Sequence, residues 1–449
     1  MKIIPTIGPV TQSNESIEYL KKRYNIFRIN GSHNTLKWHE QVSKKIKRNN
    51  SNVKLLLDVP GIKPRTCNKF DIFISNNQEV RFSYKSNIPK KKLLDIKISN
   101  PLPSTYKKNN YLSVSDGEFN FQIKKINKDY IIAKSLQSFT LKPSKGVNFI
   151  NSVYDDELQI KRYISFISKA KKNILFDSVG LSFIQSEKVI KRIKKIIPNK
   201  TVVAKIENYQ GILKIDEIAN NADCLMIDRG DLSAEIGVEN LYEAIIKIIK
   251  YSKKYGKPII LATENLNSMN LRPNPTKSEV FALGFANDLN VDYIMLSDET
   301  ATYKSWKKTL TWVGNFLKVN MIGKYSEKNR GYELFWEFIK EIKDIPLVIF
   351  TKKGLSIHKS ISINSNLKLI VFTESDYVLT ICSYYTNIES IKTTKFPKFN
   401  FNNFIDKVIK KNLSFIFKKH QEAILLHITN PKAHSRANTL RLIKKTDFI

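Results

Sequence analysis

The feature that most constrains the fold is a regular alternation of short apolar, β-branched runs with stretches of helical spacing. Eight such runs occur, at 2–7, 25–30, 53–58, 177–183, 201–207, 223–228, 258–263 and 292–297. Amphipathic stretches separate them, at 13–23, 185–196, 239–254 and 276–289. Strands that alternate with helices favour parallel βα units, and eight units suit an α/β fold of the (β/α)8 TIM barrel type. An open doubly wound sheet fits the same count.

The alternation is interrupted once and restarts once. Residues 59–148 contain short alternating runs separated by Asn, Asp, Gly and Lys turns, which predicts a small antiparallel β domain inserted after the third barrel strand. After about residue 326 a second α/β pattern begins, with runs such as LVIFTKKG and LKLIVFT. The predicted organisation is therefore a barrel at 1–58 and 149–326, an inserted β domain at 59–148 and a C-terminal α/β domain at 327–449.

Composition excludes several classes of protein. No run approaches 18 consecutive apolar residues and the N-terminus enters a strand pattern, so we expect a cytoplasmic protein without a membrane partner. The three cysteines lie far apart, which argues against a disulfide or zinc framework. The net charge of +34 raises the question of nucleic-acid binding. The basic runs are scattered, however, and we interpret them as a general drift in composition that leaves an attraction for anionic metabolites.

Charged and polar side chains follow the predicted strands at the end where a (β/α)8 barrel carries its function. These residues are Arg28, Asn30, Asp58, Lys205, Glu207, Asp231 and Thr263. Because a strand alternates faces, Val203, Lys205 and Glu207 share one side, and the charged pair is predicted to face the barrel mouth. Two carboxylates at neighbouring strand ends suit Mg²⁺ or Mn²⁺, with Lys205 facing an anion. The alternative is a buried Lys205–Glu207 ion pair, which would stabilise the fold poorly.

Ten short segments, in this order, carry a resemblance to a known family. They are KIIPTIGP, FRINGSH, LLLDVPGIKPRT, LSVSDG, PSKGVN, AKIENYQGILKIDEI, MIDRGDL, GKPIILATENLNSM, RPNPTKSEV and IMLSDETA. With them the chain resembles the pyruvate kinases over nearly its whole length. The resemblance implies a homotetramer that transfers a phosphoryl group from phosphoenolpyruvate to ADP, giving pyruvate and ATP in glycolysis. It also implies that the inserted domain acts as a lid.

The resemblance implies a role for each matching residue. Glu207 and Asp231 would bind the divalent ion, Mg²⁺ or Mn²⁺, and Lys205 would contact the phosphoryl group in flight. Thr263 would lie in the path that protonates the enolate, and the Gly230 and Asp231 amides would hold the substrate carboxylate. Phosphate or nucleotide contacts would come from Arg28, His33 and Arg65. A monovalent cation would bind at Asn30, Ser32 and Asp58. Asp116 would be a carboxylate of the lid.

Three departures from the family pattern follow the third strand. Val59 replaces a threonine, and Pro60 replaces a lysine and stiffens the hinge into the inserted domain. Lys63 stands where many members have glutamate. A tethered ammonium can stand in for potassium, so we predict activity that is independent of K⁺. The alternative is that Lys63 is a solvated loop charge.

Two other functions compete with phosphoryl transfer. A metal-dependent carbon–carbon lyase of the enolate-forming barrel group resembles the segment 206–237, but such lyases lack the inserted and C-terminal domains. A catalytically altered relative, or a basic binding protein that keeps the fold, is the second alternative. Such a protein is free to lose Lys205, Glu207, Asp231 or Thr263, and all four are present.

Overall fold

The computed structural model describes residues 1–48, 52–84, 93–103, 111–127, 129–319, 334–397, 399–427 and 439–449. The first part of the chain alternates strands and helices. Its elements are β1 (Lys2–Pro5), α1 (Asn14–Lys21), β2 (Ile26–Asn30), α2 (Leu36–Lys47) and β3 (Lys54–Val59). Ser13 and Thr35 cap the two helices, because their side chains accept hydrogen bonds from the backbone amides of Ser16 and Trp38.

The segment after β3 is a β unit, as the alternating runs predict. Its strands are β4 (Ile72–Ile74), β5 (Glu79–Ser83), β6 (Leu94–Lys97), β7 (Tyr111–Val114), β8 (Phe119–Ile126), β9 (Tyr130–Ser135), β10 (Phe139–Leu141) and β11 (Val147–Phe149). In the described part of this segment, six strands pair in the order β11-β7-β8-β9-β5-β6, and β10 pairs with β4. The unit encloses its own apolar core, with Phe82 and Phe121 fully buried.

The βα pattern then resumes. Its elements are α3 (Asp156–Asn173), β12 (Ser178–Leu181), α4 (Glu187–Ile196), β13 (Thr201–Ile206), α5 (Tyr209–Leu213), α6 (Ile215–Asn221), β14 (Cys224–Asp228), α7 (Arg229–Ile236), α8 (Leu241–Lys254), β15 (Ile259–Ala262), α9 (Lys277–Asp288), β16 (Tyr293–Leu296), α10 (Asp298–Ala301) and α11 (Trp306–Val319). Short 3-10 helices occur at Val238–Asn240 and Asn267–Asn270.

The predicted barrel is confirmed. Among the described residues, eight parallel strands form one sheet in the order β1-β16-β15-β14-β13-β12-β3-β2. A parallel bridge between Thr6 and Arg28 joins the two edge strands and closes the sheet, unlike a doubly wound fold. The strands alternate as expected: Val203 packs inside the barrel, whereas Val202 and Ala204 pack against the outer helices. This alternation aims Lys205 at the barrel mouth.

The last part of the chain forms a second, smaller α/β unit. Its elements are α12 (Leu334–Glu341), β17 (Leu347–Phe350), α13 (Leu355–Ile363), β18 (Leu369–Thr373), α14 (Asp376–Ser383), β19 (Ile388–Lys392), α15 (Phe401–Lys411), α16 (Leu413–Ile416), β20 (Glu422–His427) and β21 (Thr439–Lys444), followed by a 3-10 helix at Lys445–Phe448. The described strands pair in the order β19-β18-β17-β20-β21, and only β21 runs antiparallel to its neighbour. The predicted boundary at 326–327 lies outside the described residues.

This second unit packs against the amino ends of the barrel strands. The Tyr384 hydroxyl bonds to Ser178 Oγ at the start of β12, and the Tyr293 hydroxyl donates to the carbonyl of Ser383. The Tyr377 hydroxyl donates to Asp223 at 2.5 Å. The carboxyl ends of the strands therefore stay open toward the inserted β unit. None of the described helices combines the length and apolar character needed to cross a membrane.

Candidate active site

A cavity of about 480 Å³ lies at the carboxyl ends of the barrel strands, between the barrel and the inserted β unit. Its lining includes all but one of the residues that the sequence proposes for the site: Arg28, Asn30, Ser32, His33, Asp58, Lys63, Arg65, Asp116, Lys205, Gly230, Asp231 and Thr263. The exception, Glu207, is fully buried next to Lys205. Residues that are up to 235 positions apart in the chain thus converge on one space.

Lys205 is the centre of the charged cluster. Its Nζ lies 2.7 Å from Glu207 Oε1, 3.1 Å from Asp58 Oδ2 and 3.2 Å from the hydroxyl oxygen of Ser182. A further carboxylate, Asp228, lies 3.4 Å away. Burial would by itself lower the pKa of Lys205, but the three carboxylates outweigh burial and raise the pKa above its ordinary value. Lys205 is therefore a fixed positive charge at neutral pH.

A second cation, Arg28, lies beside this cluster. Its Nε and Nη2 donate to Asp58 Oδ2 at 2.9 and 2.7 Å, and its Nη1 donates to the hydroxyl of Thr6 at 3.1 Å. Burial works to raise the pKa of Asp58, but Lys205 and Arg28 prevail and lower it. Asp58 thus holds both cations in position as an ionised carboxylate.

Three carboxylates form the acidic side of the site. One oxygen each of Glu207, Asp228 and Asp231 lie within 4.8 Å of one another. Burial raises the pKa of Glu207 well above its ordinary value, and Asp228 and Asp231 add to that effect while Lys205 opposes it. Crowded carboxylates of this kind are suited to a hard divalent cation, which would relieve their repulsion. The residues present therefore fit Mg²⁺ or Mn²⁺.

Lys63 reaches into the same space from the start of the inserted segment. Its Nζ donates to Asp116 Oδ1 at 3.1 Å and to Asp231 Oδ1. Gly146 makes room for it, because a Cβ at position 146 would lie 2.5 Å from the Lys63 ammonium. Lys63 is buried, which differs from a solvated loop charge, and it lies on the acidic side of the cavity.

The residues predicted to bind a monovalent cation are engaged with the protein itself. Asn30 Oδ1 accepts a hydrogen bond from the amide of Ser32 at 3.0 Å, and Asp58 is bound to Arg28 and Lys205. Of the proposed nucleotide contacts, Arg65 donates to the carbonyl of Ser144 at 3.2 Å, and His33 lies exposed at the cavity rim. The hydrogen bonds described for Lys63 Nζ go to Asp116 and Asp231 rather than to this group.

Arg229, Gly230 and Asp231 form the first turn of helix α7. Gly230 and Asp231 are therefore N-terminal helix residues, whose amides and helix dipole favour an anion. The Gly230 amide donates to the hydroxyl oxygen of Thr263 at 3.2 Å. Thr263 has a φ of 59°, a left-handed conformation that is unusual for a β-branched residue.

Several lining residues escaped the sequence interpretation. Asp228 and Ser182 lie at or just beyond the ends of β14 and β12, so the strand-end rule that selected Lys205 would also have selected them. Arg162 lies on α3 and donates to Asn100 of the inserted unit. No pattern in the sequence marks Arg162, because only the packing of α3 brings it to the cavity.

Comparison with known proteins agrees with this geometry. The family model "Pyruvate kinase, barrel domain" matches residues 1–308. The chain belongs to the pyruvate kinase family. The pyruvate kinase of Encephalitozoon cuniculi is 32% identical over 308 residues, covering 67% of this chain and 71% of its own length. That of Dictyostelium discoideum is 26% identical over 410 residues, covering 86% and 78%.

A third relative, the pyruvate kinase of Thermococcus litoralis, is 30% identical over 324 residues, covering 68% of this chain and 66% of its own length. The predicted resemblance is therefore confirmed, and the chain is a phosphotransferase of the pyruvate kinase family. The matched range ends inside α11, so the family model covers all eight barrel strands and the inserted β unit.

Proposed function

We propose that this protein transfers the phosphoryl group of phosphoenolpyruvate to ADP, giving pyruvate and ATP, and that it does so without K⁺. The observation that carries the proposal is the position of Lys205, which lies within 3.4 Å of Asp58, Glu207 and Asp228 at the open end of the barrel. An ammonium fixed by three carboxylates is a preorganised charge, and preorganised charge is the main requirement of phosphoryl transfer.

Each half of the reaction has residues suited to it. The migrating phosphoryl group carries negative charge, and Lys205 and Arg28 would stabilise that charge from one side of the cavity. The substrate carboxylate would lie at the N-terminus of α7, whose first turn contains Gly230 and Asp231 and lines the cavity. The Thr263 hydroxyl, which contacts the Gly230 amide, would then lie next to the enolate carbon that takes up a proton.

Glu207 and Asp231 are the residues that would hold the divalent ion. A bound Mg²⁺ or Mn²⁺ would supply Lewis-acid stabilisation of the enolate oxygen. The carboxylates themselves keep two further groups in place, because Glu207 Oε2 accepts a hydrogen bond from the amide of Phe183 at 2.6 Å, and Asp231 binds Lys63.

Lys63 is the reason to propose K⁺ independence. Its buried ammonium joins Asp231 of the barrel to Asp116 of the inserted unit, and so supplies a permanent monovalent charge within the cavity. In this proposal the inserted unit is a lid, the protein is a cytoplasmic homotetramer, and Asn30, Ser32 and Asp58 do not require an added cation. Nucleic acid is not a partner.

A coupled assay of pyruvate formation tests the proposal. Wild-type protein is given phosphoenolpyruvate and ADP with Mg²⁺, and tetramethylammonium is the only monovalent cation. We expect turnover that depends on Mg²⁺ and changes less than about twofold when K⁺ is added. A large stimulation by K⁺ would defeat the role of Lys63. The absence of turnover with either cation would favour the catalytically altered relative or basic binding protein instead.

A further inference from the structure

The end of strand β15 has an unusual backbone. Thr263 and Glu264 are consecutive residues with φ values of 59° and 50°. A left-handed conformation is costly for a residue other than glycine, and most of all for a β-branched one. Such a conformation persists only where the surrounding structure fixes it. The contacts of Thr263 therefore identify the residues that hold its backbone and hydroxyl in position.

Three consecutive residues at the end of β14 hold Thr263. Arg229 donates to the Thr263 carbonyl from Nη2 at 2.5 Å and from Nε at 3.2 Å. The Gly230 amide donates to Thr263 Oγ1 at 3.2 Å. The Thr263 hydroxyl lies 2.9 Å from Asp228 Oδ1 and 2.8 Å from the carbonyl of Ala262, its two acceptors. Arg229 thus fixes the backbone, and Asp228 is one of the two acceptors open to the single hydroxyl hydrogen.

Asp228 also contacts the other half of the site. The residue is 6% exposed, and its second oxygen, Oδ2, lies 3.4 Å from Lys205 Nζ. One buried carboxylate therefore bridges the ammonium assigned to phosphoryl transfer and the hydroxyl assigned to proton transfer. A buried acceptor with two such partners fixes the distance between them more firmly than either strand end would alone.

We infer that Asp228 is a positioning residue for Thr263, and that it acts on the proton-transfer half of the reaction more than on phosphoryl transfer. The inference rests on the proposed function. In that half the Thr263 hydroxyl gives its proton to the enolate carbon, which gains a C–H bond, and one proton from solvent then restores the hydroxyl. Correct placement of a group that relays a proton contributes about 10²-fold or more to the rate of a step.

The test measures proton transfer and phosphoryl transfer separately in the variants Asp228→Ala and Asp228→Asn. Exchange of the pyruvate methyl protons with deuterium, followed by NMR in the presence of Mg²⁺, measures the proton step. ATP formed in a single turnover, measured by rapid quench, reports phosphoryl transfer. We expect Asp228→Ala to slow exchange about 10²-fold and ATP formation less than about tenfold. Asp228→Asn should recover most of the exchange, because its amide oxygen can still accept from Thr263.

Asp223→Asn is the matched control, since Asp223 precedes the same strand and bonds to Lys194 and Tyr377 at the far end of the barrel. It should leave the ratio of the two rates unchanged. The inference would be overturned if Asp228→Ala slowed both steps equally or affected neither. It would also be overturned if Asp228→Ala lowered the affinity for Mn²⁺ tenfold, as measured by EPR. If wild type itself forms no pyruvate, the proposed function fails, and this inference fails with it.

Discussion

At the carboxyl ends of the barrel strands charged side chains gather around a cavity, whereas at the amino ends the apolar interior of the barrel is covered by Tyr384 of the second α/β unit. Lys205 and Glu207 follow Val203 on the same face of β13, yet Val203 packs with Ile4, Cys224 and other apolar residues inside the barrel. The same strand thus contributes apolar packing at the amino end of the barrel, the base, and charged side chains at the carboxyl end, the mouth. Close packing at one end allows the other end to hold buried charges and strained backbone.

The sharpest test of this contrast is Lys205→Met. Removing the ammonium should lower the rate of pyruvate formation by about 10³-fold, because a preorganised charge is lost from the transition state. Circular dichroism should show the native fold. Lys254→Met is the matched control, because Lys254 is exposed on α8 and pairs only with Asp216 among the ion pairs described. Comparable activity in the two variants would break the contrast.

The converse test is at the base, with Tyr384→Ala. Tyr384 is fully buried beneath the barrel, so truncation should lower the free energy of unfolding by about 3–5 kcal/mol, as measured in urea. Turnover per folded molecule should not change. Tyr242→Ala, at a tyrosine that is 62% exposed, should change stability by less than about 0.5 kcal/mol. A loss of turnover in folded Tyr384→Ala would mean that the base and the mouth are coupled.

His358 gives the base an acid-sensitive contact. Its Nδ1 lies 2.8 Å from the Tyr385 hydroxyl and 3.1 Å from the carbonyl of Gly256, where a φ of 58° and a close approach to His358 favour glycine. Burial, and to a smaller degree Lys257, lowers the pKa of His358 from 6.5 to about 3. The unfolded chain therefore takes up this proton at a higher pH than the folded protein.

Stability should consequently fall as the pH drops from about 6.5 toward 3, by at most roughly 1.4 kcal/mol per pH unit from this group. His358→Gln should remove that part of the slope in urea titrations at several pH values, and His420→Gln should leave the slope in place. An unchanged slope in His358→Gln would show that the folded histidine is protonated in this range.

Glu235 should produce the opposite dependence at the mouth. Its carboxylate accepts hydrogen bonds from Ser152, Asn148 and Tyr154, and so ties the end of the inserted segment to α7. Burial raises its pKa from 4.5 to about 7. Between these values the unfolded chain has already lost the proton that the folded protein keeps, so rising pH lowers stability.

Glu235→Gln should therefore flatten the decrease in stability between about pH 4.5 and 7 and leave the slope below that range unchanged. Urea midpoints at half-unit pH intervals provide the measurement, and Glu239→Gln, on the neighbouring 3-10 helix, is the matched control. The pH range over which Glu235 changes stability is shorter than that of His358. We therefore expect its effect to be smaller than those of Lys205, Tyr384 and His358. An equal slope between about pH 4.5 and 7 in Glu235→Gln and Glu239→Gln would contradict the assignment.

Much of the fold could be predicted because local pattern and tertiary structure agree. All eight predicted barrel strands form, since each is a short apolar run and most of them are followed by a helix. The strands β6, β10, β11, β19 and β21 were not predicted, and neither was the antiparallel pairing of β21 with β20. Those strands are short or polar, and they are defined by their partners rather than by their own periodicity.

The site divides in the same way. Strand alternation and position at a strand end were enough to predict that Lys205, Glu207 and Asp231 converge, because both are properties of the local chain. The sequence therefore determined the barrel, the family and the charged mouth. Only tertiary structure decided that Asp228 bridges Lys205 and Thr263, that Lys63 contacts Asp231, and that tyrosines cover the base. Those contacts join residues from separate elements, whose distances are fixed only when the whole barrel closes and packs.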